Sequence, residues 1–222
     1  MKKNLAVITT LSLALLCSAQ AFATPVYIAI DDFNSDDQFV SDTTVGDGLQ
    51  SNTNAKRTLT NELLSGSGPI QSVAQVSFGI LDISNGSGED SEVSVAWNLD
   101  AGLLPVTAFP MSFLFEIVQS DGNQTSLDFF FNNDPLSSFS IAPNTNNQIV
   151  AFGLTPAQLA QINAGAGSLL LKINGDTGWD LSVDAIGFSY DDGITTSIPE
   201  PVTLALISLG LAGLGFHKKK QA

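Results

Sequence analysis

"SEVSVAWNLD", Ser91 to Asp100, alternates along its whole length, with Val93, Val95, Trp97 and Leu99 on one side and Glu92, Ser94, Ala96, Asn98 and Asp100 on the other. Successive side chains of a β-strand point to opposite faces, so this stretch turns an apolar face inward and a polar face to water. The same period recurs in "VYIAI" (Val26, Ile28, Ile30), "VSFGI" (Val76, Phe78, Ile80), "SFLFEIV" (Phe113, Phe115, Ile117), "SLDFFF" (Leu127, Phe129, Phe131) and "LLLKI" (Leu169, Leu171, Ile173). Turn clusters separate these stretches: "SNGSGED", "SDGNQ", "NNDP", "PNTNN" and "NGDTG". Many short strands with Gly, Asn and Asp turns predict an all-β chain folded as an antiparallel sandwich or barrel. One helix interrupts them. In "TPAQLAQINAG", Thr155 is placed to cap it, Pro156 suits its first position, Gln158 completes a capping box and Gly165 closes it. Residues 34–69 have weak periodicity and read mostly as loop, with room for one or two strands.

The first and last strands share an irregularity. Keeping Val26, Ile28 and Ile30 inward would bury Asp32 unless the phase changes at Asp31 or Asp32. In "WDLSVDAIGFSY" the inward set begins Trp179, Leu181, Val183 and resumes at Ile186, Phe188 and Tyr190, so the phase slips near Ala185. A bulge or bend in each strand explains both, and would gather Asp31, Asp32 and Asp184 if the two strands are neighbours.

Processing bounds the folded part. "MKKNLAVITTLSLALLCSAQAFA" has two lysines, an apolar stretch and small residues ending in Ala21-Phe22-Ala23, the layout of a secretory signal helix cleaved after Ala23. This divides the chain into a signal peptide (1–23), a sandwich domain (24–197) and a C-terminal hydrophobic helix segment (198–222). Cys17, the only cysteine, lies in the signal and lacks the spacing of a lipid-attachment site. The mature chain then has no thiol for a disulfide, a zinc site or a nucleophile, and its stability must come from its core.

Charge narrows the partners. Between Thr24 and Ile198 the basic residues are Lys56, Arg57 and Lys172, against twenty-one acidic ones, leaving a net charge of −18. Such a surface repels phosphate backbones, which excludes nucleic acid as a partner, and repels anionic polysaccharide unless divalent cations bridge the two.

Little is available for catalysis. The one histidine, His217, lies in the terminal basic cluster, so the domain has no Ser-His pair. A glycosidase needs only two carboxylates, but their abundance here singles out no pair. The chain therefore reads as a binding protein rather than an enzyme. Hard oxygen ligands suit calcium, and the candidates are "DDFNSDD" (Asp31, Asp32, Asp36, Asp37), Asp176, Asp180 and Asp184, none at EF-hand spacing. The alternative places these acids in solvated turns. Trp97 and Trp179 share parity with the core, which leaves Phe130, Tyr27 and Tyr190 as candidates for stacking on a sugar. Arg57 is placed either to touch a ligand or to pair with a buried carboxylate.

The last residues resemble a known signal. Pro199-Glu200-Pro201, the apolar run Val202 to Phe216 and the basic end His217-Lys218-Lys219-Lys220 resemble the PEP-CTERM sorting signal of Gram-negative bacteria. The resemblance implies export by the secretion machinery, recognition and cleavage by an exosortase near the Pro-Glu-Pro triad, and a destination at the cell surface or in exopolysaccharide, biofilm or floc matrix. The apolar run is 15 residues; at about 1.5 Å each it reaches roughly 23 Å, short of the roughly 30 Å hydrocarbon layer. It reads as a transient hold in the inner membrane over 202–216, with the lysines cytoplasmic.

"IDDFNSDDQFV", "KRTL" and "GSLLLKINGDTGWDLSVDAIGF" resemble a jelly-roll type similar to carbohydrate-binding modules. There a metal often bridges the first and last strands, which implies structural calcium at Asp31, Asp32 and Asp184. The expectation is an exported jelly-roll β-sandwich that binds glycan or acts as a scaffold. The alternative is a secreted glycan-modifying hydrolase with paired carboxylates.

Overall fold

The computed structural model describes residues 25–66, 72–104 and 110–191. The signal residues Ala21 and Ala23, the run 202–216, and the sorting-signal residues Pro199, Glu200, Pro201, Lys218, Lys219 and Lys220 lie outside them, as do both expected terminal helices. In chain order the described elements are β1 (Val26–Asp31), β2 (Gln38–Asp42), β3 (Gln50–Thr53), β4 (Arg57–Ser65), β5 (Ser72–Ser77), β6 (Ile80–Ser84), β7 (Asp90–Leu99), β8 (Met111–Ser120), β9 (Thr125–Phe131), β10 (Asp134–Ile141), β11 (Asn146–Leu154), α1 (Pro156–Asn163), β12 (Gly167–Gly175) and β13 (Leu181–Tyr190).

The strands form two antiparallel sheets of a jelly-roll-like sandwich. One runs β11-β8-β13-β6-β5-β2, with β1 also paired to β13; the other runs β10-β9-β12-β7-β4-β3. We call these the first and second sheet. In β7, Val93, Val95, Trp97 and Leu99 are buried while Glu92, Ser94 and Ala96 are only partly covered, the pattern of a strand with one face in a core.

Between the sheets, phenylalanines do much of the filling. Phe113 is fully buried, with its ring 4.6 Å from Phe129, 5.2 Å from Phe152 and 5.1 Å from Phe188, centroid to centroid. Edge-on and offset contacts of this kind add to what area burial supplies. Thr155 accepts from the Gln158 backbone N–H and the Gln158 side chain answers at the Thr155 N–H, so the expected capping box is present at α1. Gln158 Nε2 also donates to Leu136 O, and Ile162 is buried, which holds the helix against the sandwich.

Three differences from the sequence reading have physical causes. Residues 34–69 contain three strands rather than one or two, because the inward positions of β4 include Arg57 and Asn61, and polar residues there hide the period. "VSFGI" is two strands joined by a turn. Phe78 and Gly79 both have positive φ (53° and 82°), as a two-residue hairpin requires, and Phe78 is 98 % exposed instead of inward. Strands β10 and β11 form without clean alternation in their sequences, their outer positions mixing apolar with polar residues.

The two expected bends are present. β1 pairs with β13 from Val26↔Tyr190 to Asp31↔Ile186, with a register shift between Ala29 and Asp31. Against β8, β13 shifts register on either side of Val183. The first and last strands are therefore neighbours, and the site must be judged from where their carboxylates point.

Candidate functional site

Asp31 turns into the sandwich. The shift at Ile30 carries it to the inner side, where it is 2 % exposed. Its Oδ2 accepts from Arg57 Nη1 at 2.5 Å and from Trp97 Nε1 at 2.7 Å, and its Oδ1 accepts from the Phe33 N–H at 2.9 Å. Arg57 is equally committed. Nε donates to Gln38 Oε1 at 2.7 Å, and Nη2 to the carbonyls of Ser35 and Asp36 at 2.7 and 3.0 Å. Its guanidinium carbon lies 5.3 Å from the Phe33 ring centre. A buried ion pair is tolerable only when its remaining donors and acceptors are met, and here both oxygens and all three guanidinium nitrogens have partners. Of the two readings of Arg57, the structure shows the pairing with a buried carboxylate.

Asp32 and Asp184 stay outside. Asp32 is exposed and accepts from the Asn34 N–H at 3.2 Å, and that backbone hydrogen bond is the main reason its carboxyl is held below the usual range. Asp184 sits at the irregularity of β13 between Val183 and Ala185. The three aspartates of the calcium expectation are thus divided, one inside and two outside. Among the described residues no group of three or more His, Cys, Asp or Glu is arranged to hold a metal. As placed, Asp31, Asp32 and Asp184 do not fit the expected ion.

What the two outer aspartates share is Tyr27. This residue stands on the outer face of β1, 46 % exposed, opposite Ser189. Its Cζ and hydroxyl lie within 2.6 Å of where a Cβ on Gly187 would be. Only a glycine there lets the ring recline across the strand pair. Burial raises the Tyr27 phenol above its ordinary value, with further upward pushes from Glu116, Asp184 and Asp32. The phenol thus lies within electrostatic reach of three carboxylates drawn from β8, β13 and the end of β1.

A cleft of about 220 Å³ opens farther along the same sheet, lined by Asp82, Ser84, Gln119, Asp121, Asp180 and Ser182 among others. Ser182 Oγ bonds Asp82 at 2.6 Å, and Asp180 accepts from the Asn85 N–H at 2.8 Å. Burial pushes the Asp180 carboxyl up, and the charges of Asp121 and Asp82 add to this against the opposing Asn85 hydrogen bond. A carboxyl with a higher pKa folded than unfolded takes up a proton on folding just above the ordinary carboxylate range, so its contribution falls as pH rises through that interval. Asp180→Asn, which keeps an acceptor for Asn85, is expected to raise the melting temperature at neutral pH. The gain should vanish in acid, where Asp180 is protonated in both states; a pH series of thermal melts reads this.

The remaining candidates fall on different sides. Phe130 is half-buried on the outer face of the second sheet, between Pro135 and Leu170. Tyr190 follows Ile186 and Phe188 toward the core and packs against it. The unshifted parity of Trp179, Leu181 and Val183 would place it on the less buried side, and the phase slip near Ala185 turns it inward. Trp97 and Trp179 are buried. In the sequence Tyr27 stands level with Phe130 and Tyr190. The distinguishing signal is a glycine, Gly187, in the partner strand at the level the ring crosses.

The C-terminal sequence joins Pro199-Glu200-Pro201 to an apolar run and three lysines, and a family model matches it over residues 197–220. The chain carries a PEP-CTERM protein-sorting motif. This motif implies export, a transient hold at the membrane and sorting by an exosortase. Among the described residues, which do not include the motif, no helix is long and apolar enough to cross a membrane. No curated protein matches the chain.

Solved structures similar to this chain include jelly-rolls of carbohydrate-binding modules. A family 36 module in complex with calcium and xylotriose is 15 % identical, covering 74 % of this chain and 98 % of its own, with a TM-score of 0.35. A family 61 module with beta-1,4-galactotriose is 8 % identical over 70 % and 88 %, also at 0.35. A family 11 module from Clostridium thermocellum with a beta-1,3-1,4-mixed-linked tetrasaccharide is 12 % identical over 75 % and 96 %, at 0.35.

Proposed function

We propose that this is an exported cell-surface or matrix protein that binds a neutral glycan chain through the outer face of its first sheet, without catalysis. The observation that carries the reading is Tyr27, reclined over Gly187, with Glu116, Asp184 and Asp32 within electrostatic reach. An aromatic ring held against the sheet offers its free face to the C–H face of a sugar at little entropic cost. Ionised carboxylates only accept hydrogen bonds, so they suit sugar hydroxyls and oppose uronates. Its natural partner in this reading is the exopolysaccharide of the producing cell, reached after exosortase processing at Pro199-Glu200-Pro201.

Affinity electrophoresis through gels containing that exopolysaccharide, or neutral and uronate polysaccharides as a panel, tests the site. The wild-type chain is expected to be retarded by a neutral polymer, and Tyr27→Ala to run as if the polymer were absent. Loss of retardation with Phe130→Ala instead would move the site to the second sheet. Equal retardation of both variants and wild type would sink the Tyr27 reading. Release of new reducing ends from the bound polymer would favour a hydrolase.

A further inference from the structure

A sheet edge offers unpaired N–H and C=O groups to any strand that can approach, and folded proteins normally blunt it with charge, proline, bulges or brevity. The strands at the ends of the two sheets differ in this respect. β2 has five residues and ends in Asp42, and β3 has four. β10 starts Asp134-Pro135 and carries a register shift before Ser137. β11, with the sequence NNQIVAFGL, has nine residues and neither charge nor proline. Its register with β8 is unbroken from Asn146↔Gln119 to Leu154↔Met111. No described strand pairs with its outer side, and Ile149 on it is 63 % exposed.

We propose that β11 is a homotypic docking edge, on which a second copy of this chain adds its own β11 in antiparallel pairing. Two features of the strand favour itself as the occupant. In a chain with a net charge of −18 over its mature part, most surface patches repel their own copies, and this uncharged edge does not. The strand is also self-complementary. Asn147 has a φ of 46°, which leaves Gln148 to Leu154 as the regular stretch, and Ala151 is its centre. A two-fold axis through Ala151 sets Ile149 opposite Gly153 of the second copy, so an exposed branched side chain meets a position with none. On the inner face it sets Val150 opposite Phe152, extending both cores. Such an isologous pairing closes after two copies and joins two first sheets into one.

A charge-swap pair decides this, using the full chain purified in mild detergent. Ala151→Lys and Ala151→Glu each put like-charged side chains directly opposite one another across the axis, with Cβ atoms about 5 Å apart. Sedimentation should show wild type as a dimer and each variant alone as a monomer, with dissociation constants raised about tenfold or more. Mixing the two variants should restore the dimer, an outcome that a merely misfolded variant cannot give. In a Cys17→Ser background, Ala151→Cys should form an intermolecular disulfide under mild oxidation, reporting the register. A wild-type chain that stays monomeric at its highest soluble concentration overturns the proposal. So does a dimer untouched by either charge. Binding of neutral glycan through Tyr27 is a separate readout, expected to persist in all these variants.

Discussion

Arg57→Met is expected to lower the unfolding free energy by about 3–5 kcal/mol, because it leaves Asp31 as a buried, uncompensated charge. The Trp97 and Phe33 donors remain, but neither carries charge to offset the carboxylate. The loss reaches beyond one contact. Arg57 also ties the carbonyls of Ser35 and Asp36 and the side chain of Gln38, so the β1–β2 connection loses its central donor. With a urea slope of about 2 kcal/mol/M, a loss of about 4 kcal/mol moves the midpoint by about 2 M. The double variant Asp31→Leu/Arg57→Met should recover part of this, since removing both charges removes the desolvation cost and leaves the neutral Trp97 and Phe33 N–H groups without their acceptor. An Arg57→Met midpoint equal to wild type would mean that the pair is not formed in solution.

Phe113→Ala is expected to cost a similar amount, about 3–5 kcal/mol, for a different reason. Phe113 touches rings from both sheets and from the edge strand: Phe129 in the second sheet, Phe188 in β13 and Phe152 in β11. Truncation opens a cavity between rings that cannot all close on it, because each is held by its own strand. For a domain of this size the melting temperature should drop by roughly 10 °C. Phe113→Leu, which refills most of the space, should lose distinctly less. Equal losses for alanine and leucine would show that ring geometry, rather than volume, is what the position supplies.

These two positions also show what can be read in advance. The inward parity of Phe113 is plain from "SFLFEIV", because an apolar residue at every second place is the direct signature of a half-buried strand. The bend that buries Asp31 is legible too, since a charged residue stands where the period demands an apolar one. Its partner is not. Arg57 lies at an inward position of β4 that looks polar in the sequence, and only the approach of β1 and β7 explains it. Phe78 fails in the opposite sense: its parity matches a core residue, but Gly79 after it allows a tight turn that places it at a tip. For the site, the sequence groups Asp32 with Asp184 through the paired bends of β1 and β13 but names Tyr27 apart from them. The place of Tyr27 beside them depends on a single glycine at position 187, which has no periodic signature.

The pairing of Val26 with Tyr190 has a mechanical consequence. Suppose a glycan is held at Tyr27 and the chain is restrained through the residues beyond Tyr190. Tension then enters the domain at the last residue of β13 and leaves it one rung away, at Tyr27 opposite Ser189. The load crosses only the β1–β13 ladder and bypasses the rest of the sandwich. A domain loaded in this way can hold against flow without its core being stretched, and the first part to yield would be β1 peeling from its partner.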